Sequence, residues 1–193
     1  MPKKEFLLDS NAYLRLAYNL HPLLFDEENL CLYVISEFED EYKRSQRLQN
    51  KFEWVMDDDF SENRIYEQIE VTKEEERRIK LAFSFIDAAG REYGNSKIDS
   101  MAIATVQVKN LTLVTDDGGM IEVAKTVGVN VIGILKLLKI LLDSKKITYE
   151  QVKSTIAYLA YEKDLPISNI SKFTKQYKAL FNEPPPDENY TGE

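Results

Sequence analysis

Leu111-Thr112-Leu113-Val114-Thr115-Asp116-Asp117 is an apolar, β-branched run that ends in two acids. Phe6-Leu7-Leu8-Asp9-Ser10-Asn11 repeats the arrangement near the start of the chain. Runs of this length and branching read as buried strands, and Leu30–Ile35 and Val129–Ile134 share the character. Between them the spacing is helical. Asn11–Leu20 follows the first run, and Ser36–Phe52 follows the second as one charged helix. Thr72-Lys73-Glu74-Glu75 has the capping-box pattern and opens a helix with Ile79, Phe83 and Ile86 facing inward, ending near Gly90. Asp99–Val108 supplies a helix ahead of Leu111, and Met120–Val127 supplies another that stops at Gly128. Strands alternating with helices predict an α/β fold, a three-layer α/β/α arrangement around a mostly parallel central sheet.

After the fourth run the pattern is helical only. Leu135–Leu142 is apolar enough to be buried, and Thr148-Tyr149-Glu150-Gln151 is a second capping box, with Val152, Ile156 and Leu159 on one stripe. Ser168 or Ser171 is expected to cap a last helix carrying Ile170, Phe173, Tyr177 and Leu180. The organisation predicted is an α/β domain over residues 1–142, a C-terminal α-helical extension over 143–181, and an acidic, proline-rich disordered tail over 182–193. Asp57–Glu70 reads as a polar loop or insertion.

The 193 residues are 44% hydrophobic and 30% charged, which is ordinary for a globular chain. With Cys31 the only cysteine and His21 the only histidine, an internal disulfide and a Cys/His zinc site are excluded. A Ser-His-Asp triad would have to use His21, and no Gly-x-Ser-x-Gly accompanies it. Carboxylates are left as the plentiful catalytic groups. The net charge is −8, of which the tail's Glu183, Asp187, Glu188 and Glu193 account for half. Acidity argues against a bare nucleic-acid binder, although divalent ions in an acidic pocket would bring the body closer to neutral. No apolar run approaches the roughly 20 residues of a membrane span, since Lys136 and Lys139 interrupt Val129–Leu142. Only three apolar residues follow Met1-Pro2-Lys3-Lys4-Glu5, too few for a signal peptide, so the expected location is cytoplasmic.

Asp9 and the Asp116-Asp117 pair stand at carboxyl ends of strands, the edge where open α/β sheets bind ligands. A single strand-end Asp is better read as a cap for the following helix. Two on parallel strands bring several carboxylates to one rim, where they repel unless a cation binds. Asp99 heads an otherwise small, apolar helix, either as a dipole-stabilising charge or as a further carboxylate aimed at that rim. Glu37 and Glu41 share a face at the start of the helix after the second strand, so one of them can point inward. Lys43, Arg44, Arg47 and Lys51 recur on that same helix, and Arg77, Arg78, Lys80, Arg91 and Lys97 form a second basic set. Such charge runs are more often solvated faces than phosphate tracks.

This order of features resembles the PIN-domain nucleases, a family that includes the toxins of many bacterial toxin–antitoxin pairs. Phe6-Leu7-Leu8-Asp9-Ser10-Asn11 is similar to the family's opening strand, first acid and small polar pair. Tyr33-Val34-Ile35-Ser36 followed by Glu41-Tyr42 resembles its second strand and second acid, with Tyr42 in place of the usual aliphatic and Glu37 as the rival. Asp99-Ser100-Met101-Ala102-Ile103-Ala104-Thr105 is similar to the Asp-Ala-x-Ile-Ala-x-Ala helix. Leu113-Val114-Thr115-Asp116-Asp117 matches the Leu-Val-Thr-x-Asp strand end, and Gly128-Val129-Asn130-Val131-Ile132 the closing strand. The resemblance spans residues 5–135.

It implies a PIN-like fold with Asp9, Glu41, Asp99 and Asp117 as catalytic ligands of Mg²⁺ or Mn²⁺. Ser10, Asn11 and Thr115 would orient those carboxylates and water. The implied reaction is hydrolysis of an RNA phosphodiester, with RNA contacts assigned to Lys43, Arg44, Arg47 and Lys97. The implied partners are the RNA substrate, an antitoxin-like protein inhibitor and a second copy in a homodimer, with no membrane. The competing expectation is a catalytically inactive PIN-like interaction module, to which net acidity and the unmatched C-terminal helices lend weight.

Overall fold

The computed structural model describes residues 3–20, 29–56 and 67–190. Five strands, β1 (Lys4–Leu8), β2 (Leu30–Val34), β3 (Glu67–Gln68), β4 (Thr112–Val114) and β5 (Asn130–Ile132), form one sheet in the order β3-β2-β1-β4-β5. Every pairing is parallel. Leu7 is in register with Tyr33 on one side and Leu113 on the other, and Leu8 with Val114. Strand carboxyl ends therefore lie side by side.

Alternation along the strands builds two cores. Phe6, Leu8 and Val114 enter one, while Leu7 and Leu113 enter the other. The first is covered by α1 (Ser10–Ala17), α2 (Phe38–Arg44), α3 (Gln46–Lys51), α7 (Ile134–Asp143), α8 (Tyr149–Tyr161) and α9 (Ile170–Phe181). The second is covered by α4 (Lys73–Gly90), α5 (Lys97–Lys109) and α6 (Gly118–Thr126). The expected α/β class, the parallel sheet and helices on both faces are what the chain adopts. The C-terminal helices share their core with the sheet: Ile156, Phe173 and Tyr177 lie in the same buried cluster as Phe6 and Leu14.

Several local expectations are corrected. The single helix read over Ser36–Phe52 is two, because Ser45 turns extended and its hydroxyl caps α3 at Leu48. The closing strand stops at Ile132, and Ile134 already belongs to α7. The cap of α9 is Asn169 rather than Ser168 or Ser171, which turns Phe173, Tyr177 and Phe181 inward and leaves Ile170 62% exposed. Within the stretch read as a loop, Glu67–Gln68 adds an edge strand beside β2, while residues 57–66 and His21 lie outside the described residues. The tail, expected to be disordered, returns onto α8 as far as it is described. Tyr190 donates its hydroxyl to Glu150, and Lys153 lies 4.9 Å from its ring centroid.

Candidate active site

In this strand order the chain runs outward from β1 through β2 to β3, then restarts at β4 on the other side. The reversal point is the gap between β1 and β4, where open α/β sheets form their ligand crevice. Asp9 follows β1 and Asp116-Asp117 follow β4, so the acids of both flanking strands stand at that gap.

Thr115, fully buried, ties the two strand ends together. Its hydroxyl donates to Asp9 Oδ2 and accepts the Asp117 backbone N–H at 3.0 Å. Asp9 Oδ1 accepts the Ala12 N–H and so caps α1, a role that neither Ser10 nor Asn11 takes. Asp117 Oδ1 caps α6 through the Met120 N–H at 2.9 Å. Asp99 completes a capping box on α5, its Oδ2 accepting the Ser96 N–H at 2.7 Å. Glu41, on α2, accepts the Ser10 hydroxyl. The capping reading of strand-end acids thus holds for Asp9 and Asp117, while Asp99, expected as a dipole-stabilising charge or a rim carboxylate, closes a capping box. Capping, however, occupies one oxygen of Asp99 and one of Asp117. Among the described residues, Glu41 Oε1, Asp99 Oδ1 and Asp117 Oδ2 accept no hydrogen bond, and none of the four acids is in an ion pair.

The electrostatics follow from that crowding. Burial pushes the Asp9 carboxyl up to about 7; the Thr115 and Ala12 donors oppose this, and the charges of Asp99 and Asp116 add to it. Glu41 is raised by burial and by Asp99, against the Ser10 bond and the Arg47 charge. Asp99 is itself raised by burial and by Asp117, against Ser96 and Arg47. Asp99 is therefore the hub, acting on Asp9 from one side and on Glu41 from the other. Asp9, Ser10 and Asp99 line one crevice of about 10 Å³, near the size that admits a single water. Glu37 instead accepts the Ser36 hydroxyl and lines a separate cavity of about 280 Å³ with Lys80 and Met101.

Among the described residues, no three acidic, histidine or cysteine side chains stand close enough to hold one ion as placed. The carboxylates meet through hydrogen-bonded neighbours and mutual repulsion rather than as a finished cage. Their chemistry nonetheless fits a hard divalent cation, since every donor is oxygen and a cation would relieve the repulsion that raises Asp9, Glu41 and Asp99.

Asp116 and Arg15 complete the surroundings of the site, the first expected at the strand edge but not as a ligand, the second not singled out by the sequence. Asp116, read as the variable position, accepts the Ile134 N–H at 3.3 Å over the start of α7, and burial pushes its carboxyl up to about 6. A Cβ on Gly133 would stand 2.5 Å from Asp116 Oδ1, so that glycine is the signal for the close approach. Arg15 lies near enough to Asp9 and Asp116 to feel both charges, yet its guanidinium is held by Asp164 at 2.6 and 3.0 Å. No spacing rule connects residues so far apart in sequence.

The basic residues divide. Lys43 pairs with Glu39 at 3.2 Å and Arg44 with Asp40 at 3.6 Å, both one helical turn away, which is the solvated-face arrangement. Lys51 belongs to Asp164 at 2.8 Å. Arg47 is exposed and its charge acts on both Glu41 and Asp99. Lys97 is exposed at the start of α5, two residues before Asp99. Asn11 is half-buried, and among the described residues its side chain makes no hydrogen bond.

No known family model matches the chain, and no curated protein matches it.

Proposed function

We propose that this protein is a PIN-like, metal-dependent endoribonuclease that hydrolyses RNA phosphodiester bonds. The observation that carries the reading is the approach of carboxylates from separate segments to the β1–β4 reversal point: Asp9, Glu41 and Asp99, raised by burial and by neighbouring acids, with Asp117 beside them, and none of the four in an ion pair among the described residues. Asparagine or serine would cap α1 and α6 as well without the charge, which supports a role for Asp9 and Asp117 beyond capping.

Asp9, Asp99 and Asp117, with Glu41, are the residues that would hold Mg²⁺ or Mn²⁺. When bound, such an ion supplies a lowered pKa for water and compensation of negative charge on the phosphate. The chain's own groups do the rest. Thr115 fixes the Asp9 carboxyl from the residue just after β4, and Ser10 fixes Glu41 from the first residue of α1. Arg47 presents a guanidinium on the acid side of α3, where it can meet a substrate phosphate. In this reading the toxin role is a further expectation, with an antitoxin-like protein as the inhibitor. The second reading, an interaction module without turnover, draws on the capping roles that Asp9, Asp99 and Asp117 already fill.

The test is cleavage of end-labelled single-stranded RNA by wild type and Asp99→Asn as Mn²⁺ is titrated. Asparagine can still accept the Ser96 N–H, so the helix survives while the ligand charge is lost. Metal-dependent cutting confined to wild type supports the enzyme. Binding of RNA or protein without cutting, at every metal concentration, supports the module.

A further inference from the structure

We propose that the cavity of about 280 Å³ between the end of β2, α4 and α5 is the pocket for one nucleobase of the RNA, guanine by preference; the inference rests on the nuclease reading and names a specificity site for it. The cavity neighbours the acidic crevice. Ile35 lines both, and α5 carries Asp99 at the crevice and Met101 and Thr105 at the cavity. Asp99 and Thr105 are about 9 Å apart along the helix axis, so a nucleotide whose phosphate meets the acids can turn its base into this space.

The walls and the polar groups select the occupant. Ile35, Ile69 and Ile79, all buried, and the half-buried Met101 give apolar surface for the faces of a ring. Thr105 is 3% exposed, yet among the described residues its hydroxyl makes no hydrogen bond. The buried hydroxyls of Ser100 and Thr155, by contrast, donate to the carbonyl one turn earlier at 3.1 and 2.7 Å. A buried hydroxyl left unpaired in a cavity wall is a contact waiting for a ligand. Glu37 accepts the Ser36 hydroxyl on one carboxylate oxygen at 2.9 Å; among the described residues the other accepts nothing, and Glu37 is in no ion pair. With Glu76 and Lys80 already paired at 2.6 Å, Glu37 leaves the lining net negative, which favours a neutral base with N–H donors over a second phosphate. Of the four RNA bases only guanine sets two adjacent donors, N1–H and the N2 amine, against a carboxylate. Thr105 and Lys80 are the lining donors open to its carbonyl. Single-stranded RNA is read in this way, by an unstacked base packed on side chains and bonded along its Watson–Crick edge.

The experiment has two arms. Sequencing the ends that wild type, Glu37→Gln and Thr105→Val leave in a random single-stranded RNA pool reads base preference at the cut. Binding of uridine oligomers carrying one guanine, one inosine or neither, with Mn²⁺ and in a cleavage-dead Asp99→Asn background, reads the pocket without turnover. Guanine is expected at one fixed position from the cut, and the guanine oligomer should bind about tenfold tighter than the plain one. Inosine, which lacks the N2 amine, should fall between them. Glu37→Gln and Thr105→Val should both lose the preference. Valine replaces an unpartnered hydroxyl by a methyl of similar size, so the Tm of Thr105→Val should hold or rise and separates lost recognition from lost folding. Guanine-dependent binding without cutting by wild type supports the pocket and removes the nuclease reading. Cutting with no base at a fixed position, or binding equal for all three oligomers, overturns the pocket, and the nuclease reading then stands or falls on the cutting alone.

Discussion

Arg15, on the helix that follows the first strand, places two guanidinium nitrogens on the two carboxylate oxygens of Asp164, at 2.6 and 3.0 Å, across nearly the whole length of the chain. Lys51 adds a third contact to the same carboxylate at 2.8 Å. Asp164 lies between α8 and α9 and is 8% exposed, and its carboxyl is lowered by the Arg15 and Lys51 bonds, which outweigh its burial. The link between the C-terminal helices is thus fastened to α1 and α3.

Breaking this pair leaves a largely buried guanidinium without its carboxylate. Asp164→Ala should therefore destabilise the fold by about 3 kcal/mol. A double-mutant cycle with Arg15→Met should return most of that loss, since removing both charges removes the unpaired one. Urea denaturation of the four proteins checks it; equal and additive losses would mean that the pair is not coupled.

Asp9 makes a pH prediction of the opposite sign to the usual carboxylate. Its folded pKa, about 7, lies above the ordinary value of 3.8, so the folded chain holds a proton that the unfolded chain releases. Its contribution to stability is complete below the unfolded value and is lost as pH rises through about 7. Without a cation, Asp9→Asn should raise the stability at about pH 8 by roughly 1–3 kcal/mol, and by little at about pH 5. Thermal melts at both values check it. A variant equally destabilised at both would show that the Asp9 bonds outweigh the charge it carries.

How much of this was legible in the residues depends on the range of the interaction. Capping boxes at Thr72 and Thr148 and the left-handed Gly128 are local patterns that the chain realises as read, and each strand run yields a strand, the last one shortened to Asn130–Ile132. Strand-end acids were also visible, because a parallel sheet puts every carboxyl end on one edge. What local pattern cannot carry is which strands neighbour each other, so Asp116 over α7 and Asp164 clasping Arg15 emerge only from topology, and the orienting role that the resemblance implied for Thr115 takes its partner, Asp9, from the same source. The break at Ser45 was missed for a different reason: a helix-like charge pattern continues through a residue whose side chain caps better than it propagates.

Gly133→Ala is predicted to disturb the rim without touching any acid. The added methyl meets Asp116 Oδ1 at 2.5 Å, so the carboxyl must leave the Ile134 N–H or the backbone must shift. A loss of about 1–3 kcal/mol is expected from the forced displacement. Gly128, whose φ is +73° but whose missing Cβ would meet nothing within 4 Å, serves as the contrast, because alanine there is strained by backbone alone. Combining Gly133→Ala with Asp116→Asn or Asp116→Ala tells them apart: the alanine pair should recover much of the loss, since the clash partner is gone.

Arg47→Ala should weaken binding of single-stranded RNA while leaving the fold intact, since the residue is exposed and in no ion pair among the described residues. Loss of one phosphate contact should reduce the slope of log affinity against log salt by about 0.7. Lys43→Ala and Arg44→Ala should change it less, because Glu39 and Asp40 already occupy those cations. Binding isotherms at several salt concentrations, with a cleavage-dead Asp99→Asn background, measure this. Equal slopes for all three would remove Arg47 from the substrate path.

The central claim is that the rim acids form one divalent-cation site, and calorimetric titration of Mn²⁺ into the full chain tests it most directly. Wild type is predicted to bind with release of protons, its affinity falling as pH drops through about 7, where Asp9 must give up its proton. Asp9→Asn is predicted to bind at least about tenfold more weakly and with less proton release. No binding at any pH, or binding that is indifferent both to pH and to Asp9→Asn, would contradict it.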